Sequence, residues 1–445
     1  MSAATRAGLG EALTGPELDA MWVTRGPTSW PAAPELMSYT VLRDIEVCPL
    51  RWGLRHASYP QLSSEKGYPS AAAPGAIAGQ VVHAALERIV GAAREAVANG
   101  RCATEGEPMG LVVDVLRSLG GISAVLEAVI AGIVTEWDAN PRVRPRAREL
   151  ADELRRQVPL LRPRVQHFLG SLSLGGLRAS RAVTTESAHQ HGSSWRPLAP
   201  GLHAEVPLVN KELGFYGKAD LVRVGATEDG DGDEIVDFKT GLAKPDHAFQ
   251  LRVYALLWAR EKRWNPGGRR AHRLTVLYGN GPIGVPAPTT DEELDTVARE
   301  VAERSAKVRA DVAQLPPAAR ASREACEWCD VRQMCDVYWA SDTRGTIASP
   351  ADSPRQGVDA GVRIVQRVGP WSWVALVHEV GALSEHIAIG DRVLLRARPQ
   401  EDHFAALIDV GARARIVSAL YVPPSDESGG LAVLSLTRST EAYLS

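Results

Sequence analysis

Residues 203–262 constrain this chain more than any other stretch. His203–Val209, Phe215–Val224 and Glu234–Phe238 are short runs rich in apolar and β-branched residues, bounded by turn formers, and GDGD at 230–233 reads as a hairpin turn. A helical run follows from about Asp246 to Lys262, and another strand runs from His272 to Gly279. Strands followed by a helix and a further strand imply an α/β core. Charged residues interrupt this core at two points, Asp220 in GKADL and Asp237 in DFK. Asp237 and Lys239 are two apart on a strand, so they share a face. Asp220, Asp237 and Lys239 can then meet at one end of a sheet. Two carboxylates beside a lysine are the minimum set for metal-dependent cleavage of a phosphodiester, in which the carboxylates hold a hard cation. A structural ion pair between Asp237 and Lys239 is the competing reading, and the same pair exists in both.

Composition limits the alternatives. The chain has 445 residues, enough for two or three domains, and is 45% hydrophobic and 23% charged. No apolar run reaches ~18 residues, so no membrane span is expected. The N-terminus lacks the apolar stretch of a signal peptide, and the expected location is the cytoplasm. A net charge of −3 means that any nucleic-acid surface must be local. Lysine is scarce: of seven, four fall between 211 and 244, around the DFK segment.

Residues 1–35 read as a loose lead-in. Ser38–Trp52 carries Val41, Leu42 and Ile45 at helical spacing, with Thr40 as a candidate cap. Residues 58–75 look like a loop. From Gly75 to about Leu177 the pattern is helical, with an arginine-rich stretch from Arg142 to Arg164. That stretch suits either DNA phosphates or a solvated helix face. Asp291–Val312 is a long amphipathic helix. A polar linker at 341–359 leads to short strand patterns over 360–445, which suggest a separate small β-domain of a kind that can close into a barrel. Trp371 and Trp373 there suit base stacking on an oligonucleotide-binding barrel, or a core.

The five cysteines are odd in number, and three of them crowd into CEWCDVRQMC as Cys326, Cys329 and Cys335. Cys48, in CPLRW, is a distant fourth. Four thiolates suit zinc or a [4Fe–4S] cluster equally. Cys102 fits neither and reads as a buried thiol.

Taken with GQVVHAALE at 79–87 and Gln250-x3-Tyr254, these segments resemble the PD-(D/E)XK nuclease superfamily, in its RecB-like and AddB-like branch, which includes CRISPR-associated RecB-type nucleases. Five pieces match in order over residues 38–335. The resemblance implies a restriction-endonuclease-like mixed sheet flanked by helices over 36–340, with a helical insertion at 76–180. It implies that Asp220, Asp237, His83 and the Phe238 carbonyl hold Mg²⁺ or Mn²⁺. Lys239 would assist the attacking water, and Gln250 and Tyr254 would border the substrate. Glu205 matches a less defined acidic position. The branch also favours [4Fe–4S] over zinc at Cys48, Cys326, Cys329 and Cys335, as a clip between the N-terminal helix and the end of the core.

The activity so implied is hydrolysis of DNA, exonucleolytic on single strands or open ends, in repair, recombination or antiviral defence. The alternative is a non-cleaving subunit of the same fold that binds DNA or a protein partner. The C-terminal β-domain lies outside the resemblance and leaves a protein partner open in both cases.

Overall fold

The computed structural model describes residues 22–59, 62, 67–72, 74–98, 108–171, 197–225, 232–340, 343, 357–397, 408–437 and 439–444. Cys102, most of the 341–359 linker and residues 398–407 of the region with short strand patterns lie outside them. A six-stranded sheet carries the central pattern. β1 (Trp22–Thr24) stands apart from it, and β2 (Met37–Ser38) pairs parallel with β4 (Phe215–Val224). β3 (Gly201–Asn210) and β5 (Asp233–Lys239) each run antiparallel to β4. β6 (Ala271–Tyr278) is parallel to β5, and β7 (Gly281–Val285) returns along it.

Helices cover both faces, which is why β5 is buried along almost its whole length. On one face lie α1 (Tyr39–Val47), α7 (Pro245–Arg260) and α8 (Asp291–Ala313), packed on Phe215, Val222, Ile235 and Val276. On the other face, α3 (Pro74–Ala98), α4 (Pro108–Ser118), α5 (Ile122–Asp138) and α6 (Ala147–Ser171) pack on Leu221, Val236, Phe238 and Leu277. Alternate residues of β5 thus reach opposite layers.

The helix expected over Ser38–Trp52 is in fact two, α1 and α2 (Pro49–His56). Cys48 is extended between them, with Pro49 opening the second helix, because proline is tolerated only in a first turn. Ser38, not Thr40, caps α1: its hydroxyl accepts from the Val41 amide at 3.2 Å.

After α8 come α9 (Arg323–Glu327) and α10 (Asp336–Trp339), which bracket the cysteine segment. The C-terminal strands are β8 (Gly357–Gly369), β9 (Ser372–Val380), β10 (Arg392–Arg396), β11 (Arg413–Val422), β12 (Ala432–Ser435) and β13 (Glu441–Leu444). The order β8-β9-β10-β12-β11 closes through a β11–β8 pairing, and β10 and β12 are parallel. This is a closed five-stranded Greek-key barrel of OB type. It begins at Gly357 rather than 360, and Ile408 belongs to no strand. Trp373 is fully buried in its core, so it is not a stacking platform, and Trp371 packs half-buried against that core. The lead-in expected to be loose supplies β1, which pairs parallel with β13 and extends the C-terminal sheet.

Buried ion pairs tie the barrel to the rest. Arg332 makes a two-point contact with Asp359 at 2.7 and 3.1 Å, and Asp359 also accepts from Tyr338 Oη at 2.6 Å. Arg142 is buried and bonds both carboxylate oxygens of Glu441, at 2.7 and 2.8 Å, and the carbonyl of Pro69. This removes Arg142 from the arginine stretch expected to face phosphates. It is a bolt between the helical layer and β13. Arg148, Arg156, Arg162 and Arg164 on α6 remain exposed.

Candidate active site

Asp220 and Asp237 come together because β4 and β5 are antiparallel neighbours. The Phe238 amide donates to Asp220 Oδ2 at 2.7 Å, so the backbone of one acid's strand grips the other acid. Lys239 Nζ lies 2.8 Å from Asp237 Oδ2, close enough for an ion pair but outside hydrogen-bonding angles. Asp237 is nearly fully buried, while the lysine is partly exposed.

Both carboxyls are held above their ordinary range. Burial pushes Asp220 up to about 6, against the opposing pull of the Phe238 amide, Lys239 and Lys218. Burial and then the neighbouring Asp220 push Asp237 up to about 7, opposed by Lys239 and His83. Two buried carboxylates face each other with Lys239 against Asp237, while Lys218 is paired with Glu205, which leaves negative charge uncompensated. A divalent cation between them would supply what is missing.

His83 reaches this pair from α3. Gly79 and His83 are four apart on that helix and share a face. A Cβ on Gly79 would stand 2.8 Å from Thr240 Oγ1, just past the end of β5. Glycine therefore lets α3 cross close to the strand end, and His83 Nδ1 comes within 3.5 Å of Asp220 Oδ2. Burial, helped by Lys239, lowers the proton affinity of His83, with Asp237 and the Phe238 backbone acting the other way. The imidazole is then neutral near pH 7, the form that ligates metals.

Gln250 and Tyr254 do share a face of α7, and Gln250 Nε2 donates to Tyr254 Oη at 2.8 Å. Both are buried, so the pair backs the acids from beneath the sheet. The Tyr254 ring lies on Gly217 of β4, where a Cβ would sit 2.6 Å from Cε1. Burial, then Asp237, raises the tyrosine's proton affinity and keeps it a neutral hydroxyl. Glu205 stands opposite Asp220 in the β3–β4 register and pairs with Lys218. Its φ of 54° is rare for a residue with a side chain, and such outliers concentrate at functional sites.

One flank of the site escaped the sequence reading. β6 places Tyr278 beside Lys239, and His247 Nδ1 lies 2.7 Å from Tyr278 Oη. Burial and then Lys239 lower the proton affinity of His247. The signal was present, since the parallel β5–β6 register sets Tyr278 against Lys239, but it needs that register to be read.

Cys48, Cys326, Cys329 and Cys335 line one cavity together with Leu50, Leu54, Val331 and Arg332. Cys48 is brought there by the break between α1 and α2, and the Arg320 amide points at its sulfur from 3.5 Å. Burial pushes the Cys329 thiol up to about 12 and Cys335 up to about 11, the latter also through Cys48 and Cys326. Among the described residues, no three His, Cys, Asp or Glu side chains are drawn around one point tightly enough to hold a single ion. The acids meet as a pair with His83 beside them, and the thiols surround a common space.

A search of curated proteins finds no match. A family profile does match, and it spans residues 36–336, from β2 to the start of α10, including both acids, Lys239, His83 and all four cysteines of the cavity. With the acids, the lysine and the mixed sheet in these positions, the chain belongs to the PD-(D/E)XK nuclease superfamily.

Proposed function

We propose that the protein is a Mg²⁺- or Mn²⁺-dependent deoxyribonuclease of the RecB-like type, acting on single strands or open ends. The observation that carries this reading is the burial of Asp220 and Asp237 face to face, with Lys239 as their nearest cation. Asp220, Asp237 and His83, with the Phe238 carbonyl, would hold the metal. When bound, the metal supplies a polarised phosphate and a more acidic water. Lys239 holds the water and offsets charge that develops on the phosphate. Its partial exposure gives it access to substrate, while Asp237 beneath it fixes its position. Gln250 and Tyr254 keep β4 and α7 in register under the acids. His247 and Tyr278 limit the movement of the lysine on the other side.

The four cysteines would hold a [4Fe–4S] cluster as thiolates. The supporting observation is chemical: four thiols line that cavity and no His or carboxylate side chain does. The role is structural, a clip from the α1–α2 break to the segment before the barrel. Roles in repair, recombination or defence, and a cytoplasmic setting, accord with this chemistry. The non-cleaving alternative has no observation of its own, because neither acid nor the lysine is missing.

The test is cleavage of end-labelled and circular DNA, single- and double-stranded, with Mg²⁺ or Mn²⁺. Wild type should degrade linear single strands and spare circles, and Asp237→Ala should abolish cleavage. Undiminished cleavage by that variant overturns the site assignment. For the cluster, anaerobically purified protein should absorb near ~400 nm and carry about four irons. Stoichiometric zinc in a colourless sample overturns it.

A further inference from the structure

A cleft of about 600 Å³ opens where the helical layer, the cysteine segment and the C-terminal domain meet. Gly75, Ala76 and Arg146 line it from the helical layer, Trp328 from the cysteine segment, and Ser418 and Ser439 from the C-terminal domain. Its volume is that of a ligand site rather than of a packing defect. None of the chemistry above uses it.

Trp328 is the feature that packing does not explain. Among the described residues, Trp328 and Tyr216 are the exposed aromatic side chains, and Trp328 is 66% exposed. A single exposed apolar residue is ordinary. This one stands at the wall of a cleft on a fixed segment. Cys326 and Cys329, on either side of it in the chain, line the thiol cavity. Asp330 accepts from Arg55 Nε at 2.8 Å, and its carbonyl accepts from Arg142. The backbone that carries the indole is thus held before any ligand arrives, which lowers the entropic cost of stacking on it.

The cations of the cleft are unequally paired. Arg55 is bound by Asp44 and Asp330, Arg142 by Glu441, and Arg332 by Asp359. Arg146 is half-buried and meets Glu149 at 3.9 Å, beyond hydrogen-bonding range, and that glutamate is exposed. One aromatic face and one loosely held cation therefore line the same cleft.

The cleft also lies on the acids' side of α3. Gly75 and Ala76 line it, Gly79 meets Thr240, and His83 reaches Asp220, and these positions are three or four apart along the helix. Eight residues of helix put the edge of the cleft ~12 Å from His83. Nucleotides in a stacked strand are ~3.4 Å apart, so about four cover that distance.

We propose that Trp328 is a positioning residue for the substrate strand: a base about four nucleotides from the cleaved phosphate stacks on its indole, and Arg146 holds a neighbouring phosphate. The proposal rests on the nuclease reading for its choice of ligand. An indole face accepts any base, so the site registers strand length rather than sequence. It needs bases that are free to leave their neighbours, which favours single strands over duplexes.

The test uses the full-length chain, purified anaerobically and held in EDTA. Anisotropy over a salt series follows fluorescein-labelled (dT)12 and a 12-mer of the same backbone that lacks bases. Proteins compared are wild type, W328A, W328L, W328F and R146Q. Thermal unfolding and metal content establish that each is folded and loaded like wild type. Wild type should prefer (dT)12 to the abasic strand. W328A should narrow that preference at least ~5-fold, the low end of what one stacked base is worth, and W328F should keep it to within about twofold. W328L retains apolar bulk beside the cysteines, should match W328A, and carries the comparison if W328A loses metal. R146Q should weaken both strands alike and make the salt slope shallower by ~0.7, one phosphate contact. An unchanged preference in folded W328A or W328L overturns the proposal, as does a wild type that binds both strands equally. An equal loss for both strands also overturns it and would mark a structural role for the indole. Cleavage of (dT)12 by wild type with Mn²⁺ keeps the two readings apart. Cleavage with an unchanged preference sinks this inference and spares the nuclease reading. No cleavage with a narrowed preference does the reverse.

Discussion

Asp237→Asn should stabilise the metal-free protein while removing its activity. Asp237 is pushed from 3.8 up to about 7 by burial and by Asp220. Because that folded-state value lies above the unfolded one, the favourable contribution is complete below pH 3.8 and is lost as pH rises through about 7. Each tenfold change in proton affinity is worth ~1.4 kcal/mol, so ionising Asp237 at pH 8 costs the fold up to about 4 kcal/mol. Relaxation and water entry lower that, and a gain of about 2 kcal/mol for the asparagine is the working expectation. At ~1 °C per kcal/mol for a chain of this size, the unfolding midpoint should rise by about 2 °C. The assay is thermal unfolding in EDTA at pH 5 and pH 8. At pH 5 the folded wild type is still protonated at Asp237 while its unfolded chain is ionised, so about a third of the cost is already present and the gap between the two midpoints should be correspondingly smaller than at pH 8. Adding Mn²⁺ at pH 8 should raise the wild-type midpoint and leave that of the variant unmoved. A variant midpoint at or below wild type at pH 8 in EDTA refutes the claim that these carboxylates repel each other in the folded chain.

Lys239→Met should lower DNA cleavage at least ~100-fold, measured as initial rate with Mn²⁺, and keep the wild-type circular dichroism. Arg142→Ala leaves Glu441 buried without its cation and should cost about 3–5 kcal/mol, read as an earlier urea transition with faster proteolysis of the barrel. Gly217→Val drives a side chain into the Tyr254 ring and should destabilise by about 1–3 kcal/mol, more than a valine at the open Gly284 of β7. Both glycine variants are compared by urea denaturation.

Much of the site could be read without a structure because it is local in sequence. Asp237 and Lys239 share a strand face through the two-residue period, and Gln250 and Tyr254 share a helix face through the four-residue one. Asp220 lies one hairpin away. Local periodicity and turn chemistry also located β3, β4, β5, α7 and α8 to within a few residues. The sequence alone could not show that Cys48 breaks a helix, because Ser38–Trp52 keeps helical spacing across the break. Nor could it show that Arg142 is buried, since its partners, Glu441 and the carbonyls around it, come from segments far along the chain.

Composition, period and motif thus pointed to the superfamily, the central strands and the residues that carry charge into them. Tertiary structure decided which of those charges are compensated. Asp237 and Arg142 are both buried ionic groups, yet one faces another carboxylate and the other two carboxylate oxygens. The difference depends on which distant segments pack beside them, and no local pattern encodes that. Barrel closure is of the same kind. The strands were visible singly, but the β8–β11 pairing exists only once residues some fifty positions apart are hydrogen-bonded in register.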